Sequence, residues 1–225
     1  MNRNDQDMSP EGPVSPGKGA GRGGTKLMAA CGGVWLVLAV AGLGFLWRVE
    51  NKPGEQLAAP GAWPAGSGIA SSAGMANMVV FAHPRCPCTE AGMGEIERLL
   101  AETNGQARVH VIFYKPPGAP DEWAHTALWT RAAALPHADV RCDQDGAEAK
   151  RFGATTSGYV LLYDATGHLR YHGGITAERG HEGDNEGLSA MVAILRGEEP
   201  RVTSIPVLGC SFSGPTLEGE KGNAQ

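Results

Sequence analysis

Residues 78–100, MVVFAHPRCPCTEAGMGEIERLL, constrain the fold more than any other stretch of this chain. Met78 to Phe81 is an apolar run of strand type. His83, Pro84 and Arg85 then turn the chain into Cys86-Pro87-Cys88. After Thr89, the residues Met93, Ile96, Leu99 and Leu100 recur at helical spacing. The pattern is a strand, a tight turn with two cysteines, and a helix. Unpaired N–H groups and the dipole at a helix N-terminus favour negative charge. A thiolate there is stabilised, its pKa falls, and it becomes a nucleophile at neutral pH. Thr89 or Cys88 is the expected cap, and Glu90 suits the first turn. Two cysteines this close can also be buried small residues or half of a zinc site. Zinc needs two more ligands at suitable spacing, and Cys31, Cys142 and Cys210 are single and far apart.

The ends of the chain differ in kind from its middle. Residues 1–26 are rich in Gly, Pro, Asn, Asp and Ser without apolar periodicity, so a disordered tail is expected. Leu27 to Trp47 is an uncharged, mostly apolar run. As a helix it is about 31 Å long, enough to cross a bilayer core. A cleaved signal peptide would have a shorter apolar core followed by small residues. Met28-Ala29-Ala30-Cys31 looks superficially like a lipoprotein signal, but the apolar run follows that cysteine instead of preceding it. A transmembrane signal anchor over residues 27–48 fits length and flanks. Arg22 and Lys26 precede the span closely, with Arg3 and Lys18 further back, and Arg48 and Lys52 follow it. The bias places the N-terminus in the cytoplasm. The rest of the chain is then periplasmic, anchored in a bacterial inner membrane by a single pass, in a compartment where disulfides persist. Residues 49–76, rich in Pro, Gly, Ala and Ser, are expected to be a semi-flexible linker.

The globular part is expected over residues 77–197, with 198–225 as a C-terminal tail. Ala107 to Tyr114 alternates as a strand, and Lys115-Pro116-Pro117-Gly118 breaks it. Asp121 to Leu135 is Ala-rich and predicts one helix; Ala138 to Cys142 predicts a strand and Asp143 to Phe152 a short helix. Val160 to Asp164 is a strong strand that turns at Ala165-Thr166-Gly167 into a hairpin partner, and Gly187 to Gly197 is the last helix. The first strands, separated by helices, should be parallel; the last two form an antiparallel hairpin. Between the hairpin and the last helix lies GGITAERGHEGDNEG, with five glycines and His181, Glu182, Asp184 and Asn185 close together. Either His181 folds back toward the dithiol as base or ligand, or the loop is solvated and Asn185 or Asp184 caps the helix.

This order, with FAHPRCPC at the first strand–helix turn and DQDGAEAKRFGATTSGYVLLYDATGHL further on, resembles the thioredoxin family. With the anchor and the terminal VLGCSF, the chain looks most like RedB-type membrane-anchored thioredoxin-like proteins. The resemblance implies an α/β fold, a thioredoxin-like three-layer α/β/α arrangement with a mixed sheet, preceded by one N-terminal transmembrane helix. It also implies a thiol–disulfide oxidoreductase acting on protein thiols and disulfides without a cofactor, with Cys86 as nucleophile, the better placed for exposure, and Cys88 as resolving thiol. Two departures stand out. The motif is one residue shorter than the family's, so a Cys86–Cys88 disulfide would be strained and easily reduced, or each sulfur pairs elsewhere. Gly158 occupies the place of the family's cis-proline and leaves room for a close approach.

Around the dithiol, Arg85 can lower the pKa of Cys86 and His83 can orient or protonate a sulfur. Cys142 ends a strand beside the first and is either a third thiol or a packed core residue. A Cys142–Cys210 staple is possible, though connectivity cannot be read from sequence. The alternative function is copper or another soft metal held by Cys86, Cys88 and His83. A peroxide-reducing relative lacks its Pro-x-x-x-Thr/Ser-x-x-Cys pattern, and a non-catalytic module on the same fold would show no thiol reactivity. The chain carries 19 Lys+Arg against 24 Asp+Glu with no basic patch, which excludes nucleic acid as an expected partner.

Overall fold

The computed structural model describes residues 22–212. The tail expected over residues 1–26 therefore lies outside the described residues up to residue 21, as does the end of the chain from 213. The first element is helix α1, Arg22–Glu50. Within it, Lys26–Val49 is long and apolar enough to cross a membrane. Its 24 residues span about 36 Å at 1.5 Å per residue, against about 30 Å of hydrocarbon. Leu27, Trp35, Leu38, Leu43 and Phe45 are all exposed, so the helix is apolar around its circumference. This region and the remainder, residues 48–212, are separate compact units.

The second unit is built on a six-stranded sheet. Its strands are β1 (Ala76–Ala82), β2 (Ala107–Lys115), β3 (Ala138–Gln144), β4 (Tyr159–Tyr163), β5 (Leu169–Gly173) and β6 (Ser204–Ile205), in the order β3-β2-β1-β4-β5-β6. The strands β1 and β4 at the centre are buried on both faces, which is why they read as continuous apolar runs. The edges are blunted by charge on β3 and by the brevity of β6.

The helices are α2 (Pro87–Glu102), α3 (Ala127–Ala133), α4 (Ala147–Arg151) and α5 (Glu186–Leu195). On one face of the sheet, Met78, Val80, Val111, Phe113 and Leu162 meet Met93, Ile96 and Leu99 of α2, Leu128 of α3 and Met191 of α5. On the other, Val79, Phe81, Ile112, Tyr159 and Leu161 meet Ala149 of α4 and Phe152. Alternate residues of each strand thus feed opposite cores, as the pleat requires.

Strands β1, β2 and β3 are parallel as expected. Although β4 follows a helix, it runs antiparallel to β1. The five residues of α4 span about 7.5 Å, while seven strand residues span about 23 Å. The chain therefore does not return along the sheet. It enters β4 at the end where β1 leaves, beside the dithiol turn.

Three further expectations are corrected. The helix expected over 121–135 is broken into a 3-10 turn, Asp121–Trp123, and α3. Thr126 is extended at the break, and its hydroxyl donates to the Pro84 carbonyl at 3.0 Å. The segment expected as a linker over 49–76 packs on the second unit from Pro53 onward. Gly54 N–H bonds to the Val207 carbonyl and Leu57 N–H to that of Gly153. Trp63 sits edge-on to Phe152 and Tyr163, and Ile69 is buried in the core. The tail expected from 198 likewise contributes Val207 and Phe212 to that core. A single five-residue helix cannot cover this face, and apolar surface left in water is unfavourable, so irregular segments complete the layer.

Ile69→Ala is expected to lower the unfolding free energy by about 2–4 kcal/mol in a denaturant titration, the cost of emptying a core site. A free tether at residue 69 would leave the midpoint unchanged.

Candidate active site

The turn from β1 into α2 is held from three sides. His83 N–H donates to Ser157 Oγ at 2.7 Å, and Cys86 N–H closes the turn onto the His83 carbonyl at 3.1 Å. The His83 ring lies edge-on to Trp123 at 5.4 Å, and the Arg85 guanidinium stacks over the same indole at 4.9 Å. Neither Thr89 nor Cys88 is the cap of α2. Cys86 is, in an extended conformation, with Pro87 in the first turn. Proline belongs there because its missing N–H is not needed and its φ is preset.

Cys86 and Cys88 both come to this site, and a third sulfur joins them. Cys210 Sγ lies 3.3 Å from Cys86 Sγ, with no bond between them. The Cys142–Cys210 staple is thereby ruled out; Cys142 packs against the core at the end of β3. Cys210 is held in place by its backbone. Its carbonyl accepts from Ser157 N–H at 2.8 Å, and Phe212 N–H bonds to the Thr155 carbonyl at 2.9 Å. A Cβ at Gly209 would overlap the Ser157 carbonyl oxygen, so only glycine permits this approach. Arg179 adds bonds to the carbonyls of Gly209 at 3.0 Å and Lys52 at 2.9 Å.

The three thiols do not share charge equally. Hydrogen bonds from the Cys210 and Cys88 thiols, reinforced by the Thr89 hydroxyl and the Cys210 backbone N–H, outweigh burial and hold Cys86 far below the usual thiol range. Donating to that thiolate, together with burial and its negative charge, pushes Cys88 and Cys210 up, against the pull of Arg179. The donors thus favour the thiolate on Cys86 over its two neighbours. Thr89 Oγ1 also lies 2.5 Å from Ser157 Oγ. Ser157 Oγ thus links Thr89 to the backbone of His83, whose N–H it accepts.

Several sequence expectations change. Cys86 is 2% exposed and Cys88 7%, so Cys86 is not the more accessible sulfur. The cation acting on the sulfurs is Arg179, while Arg85 stacks on Trp123. The loop 173–187 does reach the site, but through Arg179 and the Gly180 N–H on Cys88, with His181 exposed. The loop is pinned, with Gly183 N–H on the Glu95 carboxylate at 2.6 Å, and Asn185 caps α5 through Leu188 N–H at 2.7 Å. Gly158 has φ +87° and open space where a side chain would stand, and its N–H bonds to the Phe81 carbonyl at 2.8 Å. Its neighbour Ser157 makes the contacts to the dithiol turn. His83 Nδ1 accepts from Arg85 N–H at 3.3 Å. Ser157, Arg179 and the approach of Cys210 were missed; the small pair Gly209-Cys210 in VLGCSF was the only signal.

A mixed sheet with flanking helices and a cysteine pair at the first strand–helix turn defines a thioredoxin-like fold. An uncharacterized conserved protein from Geobacillus kaustophilus superposes with a TM-score of 0.52 at 18% identity, covering 73% of this chain and 94% of its own. A hypothetical protein from Sinorhizobium meliloti 1021 gives 0.49 at 24% identity, covering 62% and 81%. A secreted Mycobacterium tuberculosis disulfide oxidoreductase homologous to E. coli DsbE gives 0.41 at 18% identity, covering 54% and 83%. No protein-family model matches the chain, and no curated protein matches it.

A thiol with a pKa of about 8.5 loses about tenfold of its thiolate per pH unit below that value. Cys86 is expected instead to alkylate at a level rate as pH falls from about 8 to about 6. Ser157→Ala frees Thr89 from its partner and deprives His83 N–H of an acceptor. It should cost about 1–3 kcal/mol of stability in a denaturant titration; an unchanged midpoint would show that Ser157 does not hold these segments together.

Proposed function

We propose that this protein is a membrane-tethered, extracytoplasmic thiol–disulfide oxidoreductase acting on protein thiols and disulfides. The Cys86-Pro87-Cys88 turn is its reactive centre, and Cys86 supplies the thiolate. The observation that carries this reading is the approach of the Cys210 sulfur to within 3.3 Å of Cys86 at the N-terminus of α2, where thiol, hydroxyl and backbone donors hold the Cys86 pKa down. A buried cysteine in apolar surroundings has its pKa raised and is inert; this one is shifted the other way. Thiolate is the form that attacks a disulfide and the form that leaves readily from one.

The helix Lys26–Val49 supports tethering, and the basic residues before it support a cytoplasmic N-terminus with the thiol unit in the periplasm of a bacterial inner membrane. This arrangement suits the RedB-type membrane-anchored proteins that the sequence resembles. A disulfide-forming compartment also suits three thiols placed to exchange.

The test uses the full chain in detergent micelles with a disulfide-bonded protein substrate and a thiol donor. Exchange is expected to be at least about 100-fold slower after Cys86→Ser; equal rates would refute the reading. Protease added to intact spheroplasts is expected to remove the thiol unit. Protection there, with cleavage in inverted vesicles, would reverse the orientation.

A further inference from the structure

We infer that the redox-active disulfide of this protein joins Cys86 to Cys210, and that Cys210 is the sulfur that meets the external thiol or disulfide. The inference rests on the oxidoreductase reading above and names the second sulfur of that site.

Geometry carries it. The two sulfurs are 3.3 Å apart on segments 124 residues distant in sequence. A bond of about 2.05 Å then requires about 1.2 Å of closure, within the range of side-chain torsions. The approach is built into the backbone. Ser157 N–H, Phe212 N–H and the Arg179 guanidinium fix both sides of Cys210, and Gly209 admits the contact. Phe212 is buried and stacks on Tyr114 at 5.3 Å, so the segment is anchored beyond the cysteine as well. Cys88 has no such freedom. It sits in the first turn of α2, two residues from the cap, and Pro87 between them has a fixed φ. The Cys86 carbonyl accepts from both Thr89 N–H and Glu90 N–H, and bending the chain into a Cys86–Cys88 ring would break these bonds.

Exposure assigns the roles. Cys86 is 2% exposed, whereas Cys210 is half-buried. An external thiolate RS⁻ therefore attacks Cys210 Sγ. The Cys210–RS bond forms, the Cys86–Cys210 bond breaks, and the electron pair goes to Cys86, which leaves as a stabilised thiolate. A second RS⁻ attacks the external sulfur, releasing RSSR, and the Cys210 thiolate takes up a proton beside the Cys86 anion. Two external thiols are oxidised and one protein disulfide is reduced. In reverse, the same steps reduce a substrate disulfide. Cys88 takes no part in these bond changes.

The experiment equilibrates the full chain in detergent across glutathione redox buffers, traps thiols by alkylation and maps disulfide-linked peptides by mass spectrometry. The expected result for the unaltered protein is a Cys86–Cys210 linked peptide with Cys88 alkylated. Cys88→Ser is expected to keep a two-electron couple, and Cys86→Ser to accumulate glutathione on Cys210 at least tenfold above the unaltered protein. A Cys86–Cys88 disulfide, or glutathione trapped on Cys86 in Cys210→Ser with none on Cys210 in Cys86→Ser, overturns the inference while leaving the oxidoreductase reading intact. Failure of every cysteine to form a disulfide or mixed disulfide overturns both. The map of the unaltered protein decides the pairing even if a variant misfolds.

Discussion

One buried residue, Ser157, ties the functional end of the second unit together. Its hydroxyl accepts from the first turn residue after β1 and pairs with Thr89 in the first turn of α2, and its N–H holds the Cys210 carbonyl. Three segments that are distant in sequence meet at this side chain and its backbone. A buried hydroxyl left without partners costs about 1–3 kcal/mol, so each segment holds the others in register. Ser157 can occupy this position only because β4 begins at the same end of the sheet where β1 stops. That placement follows from an α4 too short to carry the chain back.

The electrostatics of the site follow from the same meeting point. Burying an anion is costly unless donors replace its water. Cys86 has donors in Cys210, Cys88 and Thr89, and the last of these pairs with Ser157. These donors favour the thiolate on Cys86 over its two neighbours. Arg179 lies on the loop before α5 and offsets the cost of the neighbouring protons being lost. It also bonds to the backbone beside Cys210, so one side chain serves position and charge together.

What was legible in the sequence was local and periodic. The apolar runs of β1 and β4 announce central strands because both faces are buried, and the cysteine turn announces itself because a strand and a helix flank it directly. Asn185 was readable as a cap because its side chain bonds a backbone three residues away. The helix over 121–135 misled because alanine-rich composition reports propensity, which a tertiary bond from Thr126 to the Pro84 carbonyl overrides. The linker misled for a related reason: its composition is that of a flexible chain, yet Trp63 and Ile69 were the residues that mattered, and both pack into the sheet's second face.

By itself, the sequence determined an apolar helix near the N-terminus, a mixed α/β unit, and a pair of cysteines at a strand–helix turn, because each is set by residues close together in the chain. Only the tertiary structure decided which sulfur faces Cys86, which cation acts on the thiols, and which hydroxyl joins the segments around them. Cys210, Arg179 and Ser157 lie 124, 93 and 71 residues from Cys86 by their numbers. No spacing rule connects positions so far apart. They meet because the direction of β4, the irregular cover of the second face and the pinned loop before α5 are products of packing.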